Sequence, residues 1–287
     1  MPSLNKFKKY TDSLPNQGKK MPVLFTSHGN PMDIIKSREE RLFWDTLHKL
    51  GKKLQNEFEI KAALVVSAHW CTNDETLVNV SAHPKQIYDY YNFPKEYYDV
   101  TYSAPGAPEL AKEVTKIVPT VKPTTDWGLD HGAWPMLMHL FPEGNVPVFQ
   151  MSINYNAAPS YHYDLGKQLK SLREKGVLII GSGSMIHNIR LGMQKFMQND
   201  STLYGWEAEY DYWLKKQIDA RNHKDLINYT SSHKYGLLAA PTPDHYVPSL
   251  YSLGLLEAKD EISFFFGGEE ALTGPAFGER SFLFNQI

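Results

Sequence analysis

Cysteine is almost absent from this chain. Cys71 is the single one among 287 residues, so no disulfide can close within the chain, and a reducing compartment is the natural expectation. Long apolar runs are missing as well. No stretch approaches the roughly 18 residues of a membrane span, and the first residues lack the apolar segment of a secretory signal. Nor is there an excess of charge. The 30 basic and 32 acidic residues are interspersed and leave a net charge of −2, which argues against the one-sided basic face that nucleic-acid binding needs. These absences predict a soluble cytoplasmic protein with neither a nucleic-acid nor a membrane partner.

Core-forming material, in contrast, is plentiful. Hydrophobic residues make up 42% of the chain and aromatics 13%, too much for a disordered segment. Residues 1–20, with the basic run Lys6–Lys9, read as a polar lead-in. Residues 21–287 read as one domain. Apolar runs predict strands at Met21–Ser27, Lys61–Ala68, Val146–Ile153, Val177–Gly181, Gly236–Ala240 and Glu261–Phe266. Helical spacing predicts helices at Glu39–Phe58, Pro108–Val118, Ala133–Leu140, Ser160–Glu174 and Glu207–His223. The alternation implies an α/β fold, a single domain with a central mixed, largely parallel sheet flanked by helices. Thr76–Tyr102 is crowded with aromatics and interrupted by prolines. It reads as a long shaped loop, which either walls a pocket or packs upon the surface.

Four histidines share one sequence context. His28, His69, His187 and His245 each lie a few residues past a short apolar run. Ligands in open α/β sheets bind beyond the carboxyl ends of strands, and neutral imidazole suits Zn, Cu, Fe and Ni. The four therefore point to one mononuclear metal site at the strand C-terminal ends. Taken singly, a histidine at a strand end is more often a hydrogen-bonded surface or core residue. His187 follows Gly181-Ser182-Gly183-Ser184, and two roles are open to it, ligand or general base. Asp130 precedes His131 and either orients an imidazole or caps a helix. Cys71 reads as a plain buried residue rather than a thiolate ligand. His48, His83, His139, His162, His223 and His233 read as structural. The Gly-Ser turn lacks the GxSxG pattern, and no Ser-His-Asp order emerges.

Longer motifs carry a resemblance. SHGNP at Ser27–Pro31, SAHW at Ser67–Trp70, YNFP at Tyr91–Pro94, YSAPGAPELA at Tyr102–Ala111, LDHGAWPML at Leu129–Leu137, GSGSMIHN at Gly181–Asn188 and PTPDHYVP at Pro241–Pro248 resemble the class III extradiol ring-cleaving dioxygenase family. The similarity is to its 4,5-DOPA dioxygenase-like branch and runs from Met21 almost to the end. The resemblance implies a divalent metal on His28, His69 and His245, with His187 as fourth ligand or acid/base and His131 lining the substrate pocket. It also implies a catechol such as DOPA and O2 as substrates. Other members of the wider family use two histidines and a carboxylate. Here PTPDH offers His245, with Asp244 next to it. An all-imidazole site accepts Zn2+ readily, so zinc is expected on isolation and Fe2+ for oxygen chemistry. A zinc hydrolase and a non-enzymatic metal-binding scaffold are the alternatives.

Overall fold

Side-chain alternation along the first strand sets the layering. Val23 and Phe25 enter one hydrophobic core and Leu24 enters the other, as the two-residue period of a strand requires. The computed structural model describes residues 19–286. The lead-in expected for residues 1–18 lies outside them. Lys20, included in that lead-in, is tied down by Glu174 at 3.1 Å and Glu257 at 2.8 Å.

The strands are β1 (Val23–Thr26), β2 (Ala62–Thr72), β3 (Thr76–Asn79), β4 (Val121–Thr124), β5 (Val148–Asn154), β6 (Val177–Ser182), β7 (Ile186–His187), β8 (Glu261–Phe266), β9 (Phe277–Gly278) and β10 (Ser281–Asn285). The longer helices are α1 (Leu42–Glu57), α2 (Pro108–Ile117), α3 (Trp134–Leu140), α4 (Pro159–Gln168), α5 (Ile189–Met197), α6 (Trp206–Asp219) and α7 (Val247–Gly254). Eight strands form one sheet in the order β4-β3-β5-β2-β6-β1-β10-β8. Its centre, β5-β2-β6-β1, is parallel. Antiparallel pairings join β3 to β5 on one side and β10 to β1 and β8 on the other. One core packs under α2, α4, α6 and α7, the other under α1 and α3. The single α/β domain with a mixed, largely parallel sheet is thus as expected. No helix of the described residues is long and apolar enough to cross a membrane.

Several elements differ from expectation. Gly236–Ala240 is not a strand. Gly236–Ala239 is a helical turn closed by Ala240 N–H on the Gly236 carbonyl at 3.0 Å. Gly236 and Ala239 are its buried residues, a helical spacing that so short an apolar run cannot announce. The segment Thr76–Tyr102 is not wholly irregular, because it opens with β3. Two further strands of the main sheet escaped the reading, as did the two-residue strands β7 and β9. β4 holds Pro123, which an edge strand tolerates, and β10 is a short C-terminal run. β2 also continues four residues past Ala68, to Thr72.

Arg173 clamps the ends of the fold. Its guanidinium is fully buried, pairs with Asp260 through two 2.7 Å hydrogen bonds, and donates to the carbonyls of Met21 and Leu255. Breaking such a pair strands a charge in the interior at a cost of about 3–5 kcal/mol. Arg173→Met should therefore shift the denaturant midpoint down with an unchanged slope. Unfolding at the wild-type midpoint would show that the clamp is dispensable.

Candidate metal centre

Strand register brings the site together. Ser182 at the end of β6 stands opposite both Thr26 of β1 and Ser67 of β2, so three neighbouring strands reach the same level. His28 lies two residues past Thr26. There the chain turns sharply, with Gly29 in the left-handed region at φ 73°. His69 lies two residues past Ser67, but inside β2 and not beyond it. The pairing of β2 with β5 is interrupted between Val66 and Cys71, and such a break re-aims a side chain. His187 sits in the two-stranded ribbon of β7 and β9, opposite Phe277. His245 is not at a strand end, because the run before it is helical. The stiff Pro241–Asp244 segment delivers it to the start of α7, and Ser184 N–H holds its carbonyl at 2.8 Å. A Cβ on Gly183 would overlap that carbonyl. The glycine in the Gly-Ser turn therefore serves close packing.

Hydrogen bonds assign the proton on two of the rings. The Ser182 hydroxyl donates to the Gly132 carbonyl, so its oxygen is free to accept from His28 Nδ1 at 3.0 Å. His28 Nε2 is then a bare lone pair, and it lies 3.0 Å from His69 Nε2. His245 Nδ1 donates to the Asp244 carboxylate, so Nε2 is the ring nitrogen left to meet a metal. Nitrogens so spaced can both be reached by one ion at metal–nitrogen distances of about 2.0–2.1 Å. The residues thus fit a divalent metal.

His28, His69 and His131 present candidate ligand atoms within 4.8 Å of one another, and so do His187, Asp244 and His245. The two groups are contiguous. The His245 ring centre is 5.4 Å from that of His28 and 4.9 Å from that of His69. His187 stacks on His245 at 3.5 Å with the planes 8° apart. Burial, reinforced by neighbouring imidazoles, pushes His28, His69 and His187 well below the ordinary histidine range. The rings are therefore neutral, the form a metal requires. Burial would raise the Asp244 carboxyl, but its hydrogen bond with His245 outweighs that and holds it well below the usual range.

All five histidines singled out in the sequence converge here, and His131, expected to line the substrate pocket, packs against His69 with ring centres 3.7 Å apart. The orienting carboxylate is Asp89, which the sequence reading did not mark. Its Oδ1 accepts from the His131 backbone N–H at 2.8 Å. Its Oδ2 lies 2.8 Å from His131 Nδ1, off the line of a hydrogen bond, and 3.7 Å from His69 Nδ1. Only its place in the aromatic YDYYNFP stretch could have hinted at this. Asp130 orients no imidazole. Fully buried, it accepts from Ser67, Trp127, Gln150 and Gly132 and braces the loop. Cys71 is exposed, contrary to expectation, because the continuation of β2 turns it outward, where its thiol meets the Ala68 carbonyl. His139 and His162 are buried within helix packing.

A cavity of about 430 Å3 opens onto His28, His187 and His245, with Phe93, Met193, Phe196 and Phe277 among its walls. Its volume suits a small organic ligand. Of the aromatic excursion only Phe93 reaches this cavity. Tyr88, Tyr90, Tyr97 and Tyr98 pack mainly with one another and against the core.

Known proteins place the chain further. A family model described as the catalytic LigB subunit of aromatic ring-opening dioxygenase matches residues 22–265. A curated Escherichia coli K12 protein named 4,5-DOPA dioxygenase extradiol is 34% identical over 274 residues, covering 93% of this chain and 95% of that protein. A protein of the same name from Beta vulgaris is 36% identical over 238 residues, covering 81% and 85%. The crystal structure of an uncharacterized Escherichia coli K12 protein superposes with a TM-score of 0.75 at 30% identity, over 92% of this chain and 99% of that one. Likeness of this extent, in sequence and in backbone, means that the chain belongs to the LigB family of extradiol aromatic ring-opening dioxygenases.

Proposed function

We propose that this enzyme, working in the cytoplasm, opens the ring of a catechol beside its paired hydroxyls, with O2 as co-substrate and a divalent metal held by His28, His69 and His245. The observation that carries the ligand set is that His28 and His245 each engage Nδ1 in a hydrogen bond and so keep Nε2 for a metal. His187, stacked on His245, is the fourth ligand or an acid/base. DOPA is the first substrate to test, since relatives bear that name. Family membership displaces the hydrolase and scaffold readings.

A bound Fe2+ supplies the redox link between ring and O2, which Zn2+, having no redox chemistry, does not. The chain's own residues do the rest. His131 takes a proton from a catechol hydroxyl and returns it later in the reaction. Asp89, 2.8 Å from its Nδ1, favours the resulting imidazolium. The largely apolar cavity wall packs against the ring.

Alanine at His28, His69 or His245 should strip most of the metal, measured by elemental analysis of folded protein. Full occupancy in His69→Ala would refute the ligand set. His131→Ala should keep its metal and lose about 10²- to 10⁴-fold in turnover, and Asp89→Asn about 10- to 100-fold. Wild-type turnover in His131→Ala would make that residue structural.

Protein prepared without added iron should carry zinc, because the usual affinity order places Zn2+ above Fe2+. Oxygen uptake with DOPA or catechol should be near zero for zinc-loaded enzyme and marked for the iron-loaded form. Equal uptake by both would mean that the metal is not the electron conduit, and none across several catechols would defeat the proposed reaction.

A further inference from the structure

Helix α5 carries an apolar stripe that its packing does not use. Ile189, Met193 and Phe196 fall at helical spacing and are 57%, 47% and 61% exposed, and Met32 is 48% exposed. All four line the cavity that reaches His28, His187 and His245. Exposed apolar groups gathered in one place mark a ligand or partner site, and this set is continuous with the metal centre. The ionisable groups of the cavity wall are those three histidines and Glu279. Glu279 accepts through Oε1 from the Ser27 hydroxyl at 3.2 Å and from the Arg41 guanidinium, while its buried Oε2 has no hydrogen-bond partner. Arg41 in turn lies 3.2 Å from Asp33. Among the described residues, this cavity offers no cation to a substrate carboxylate. Arg190 and Lys234 line an adjoining depression that shares His187 and Ile189 with the cavity, where Lys234 pairs with Glu209 at 2.8 Å.

We infer that the cavity takes a catechol bearing an apolar substituent, an alkyl or aryl group that lies along Met193 and Phe196 toward the mouth, in preference to an amino-acid catechol. α5 is then the specificity-determining face. The inference rests on the ring-opening reading for its chemistry but not for its binding preference, which apolar burial alone dictates.

The test uses the full-length protein in two metal forms. With iron, kcat/KM should rise about fourfold per methylene from catechol to 4-methyl- and 4-butylcatechol, following the transfer free energy of a CH2 group, and DOPA should fall below 4-butylcatechol. With zinc, where no turnover is expected, calorimetric affinity should climb along the same series. Met193→Ser/Phe196→Ser should bring the ratio of 4-butylcatechol to catechol close to one in both measurements. A flat series, or a preference for DOPA that Arg190→Ala removes, overturns the inference. If no catechol is opened the proposed reaction fails, and the zinc-form affinities alone decide the preference, a rise supporting it and a flat series refuting it.

Discussion

The hydroxyl of Ser182 has one hydrogen and spends it on the Gly132 carbonyl. That leaves the oxygen as the acceptor for His28 Nδ1 and turns the other nitrogen of His28 toward His69. One buried serine thus couples the end of β6, the loop carrying His131, and the tautomer of a candidate ligand. The contact exists because β1, β6 and β2 are parallel and in a register that aligns Thr26, Ser182 and Ser67. A slip by one residue would reverse the faces of β6 and remove the hydroxyl from beneath the ring.

Electrostatics then constrains what can be gathered there. Five imidazoles crowd a mostly buried pocket, and three of them are driven neutral by burial and by one another. Carboxylates are kept to the periphery. Asp244 backs His245, Asp89 faces His131, and Asp130 is committed to the scaffold. Neutral nitrogen donors inside, with carboxylates behind them, is the arrangement that sets ligand orientation and basicity. The cavity is different again, apolar for most of its wall, so the site confines its polar chemistry to one end.

Misreadings of the sequence followed the physics of weak local signals. Gly236–Ala240 looked like a strand because four or five apolar residues carry no period of their own. In the fold they lack a neighbouring strand and close a helical turn. The exposed face of Cys71 and the position of His69 inside β2 both follow from a pairing break that no residue type marks. Asp89 was hidden in an aromatic stretch, since a lone aspartate acquires meaning only from the ring it meets.

The chain by itself determined the α/β class, the approximate places of β1, β2, β5, β6 and β8 and of α1, α2, α3, α4 and α6, and the histidines to look for. Buried parallel strands are continuous apolar runs and amphipathic helices have a period, and both are local properties of sequence. Only the tertiary structure decided how close His131 stands to His69, which carboxylate faces which ring, and that the apolar stripe of α5 lines the cavity. Those facts depend on groups far apart in the chain, such as Asp89 with His131 and Ser182 with His28. Distance in space between such pairs is set by strand register and by the path of the loops, which no local pattern encodes.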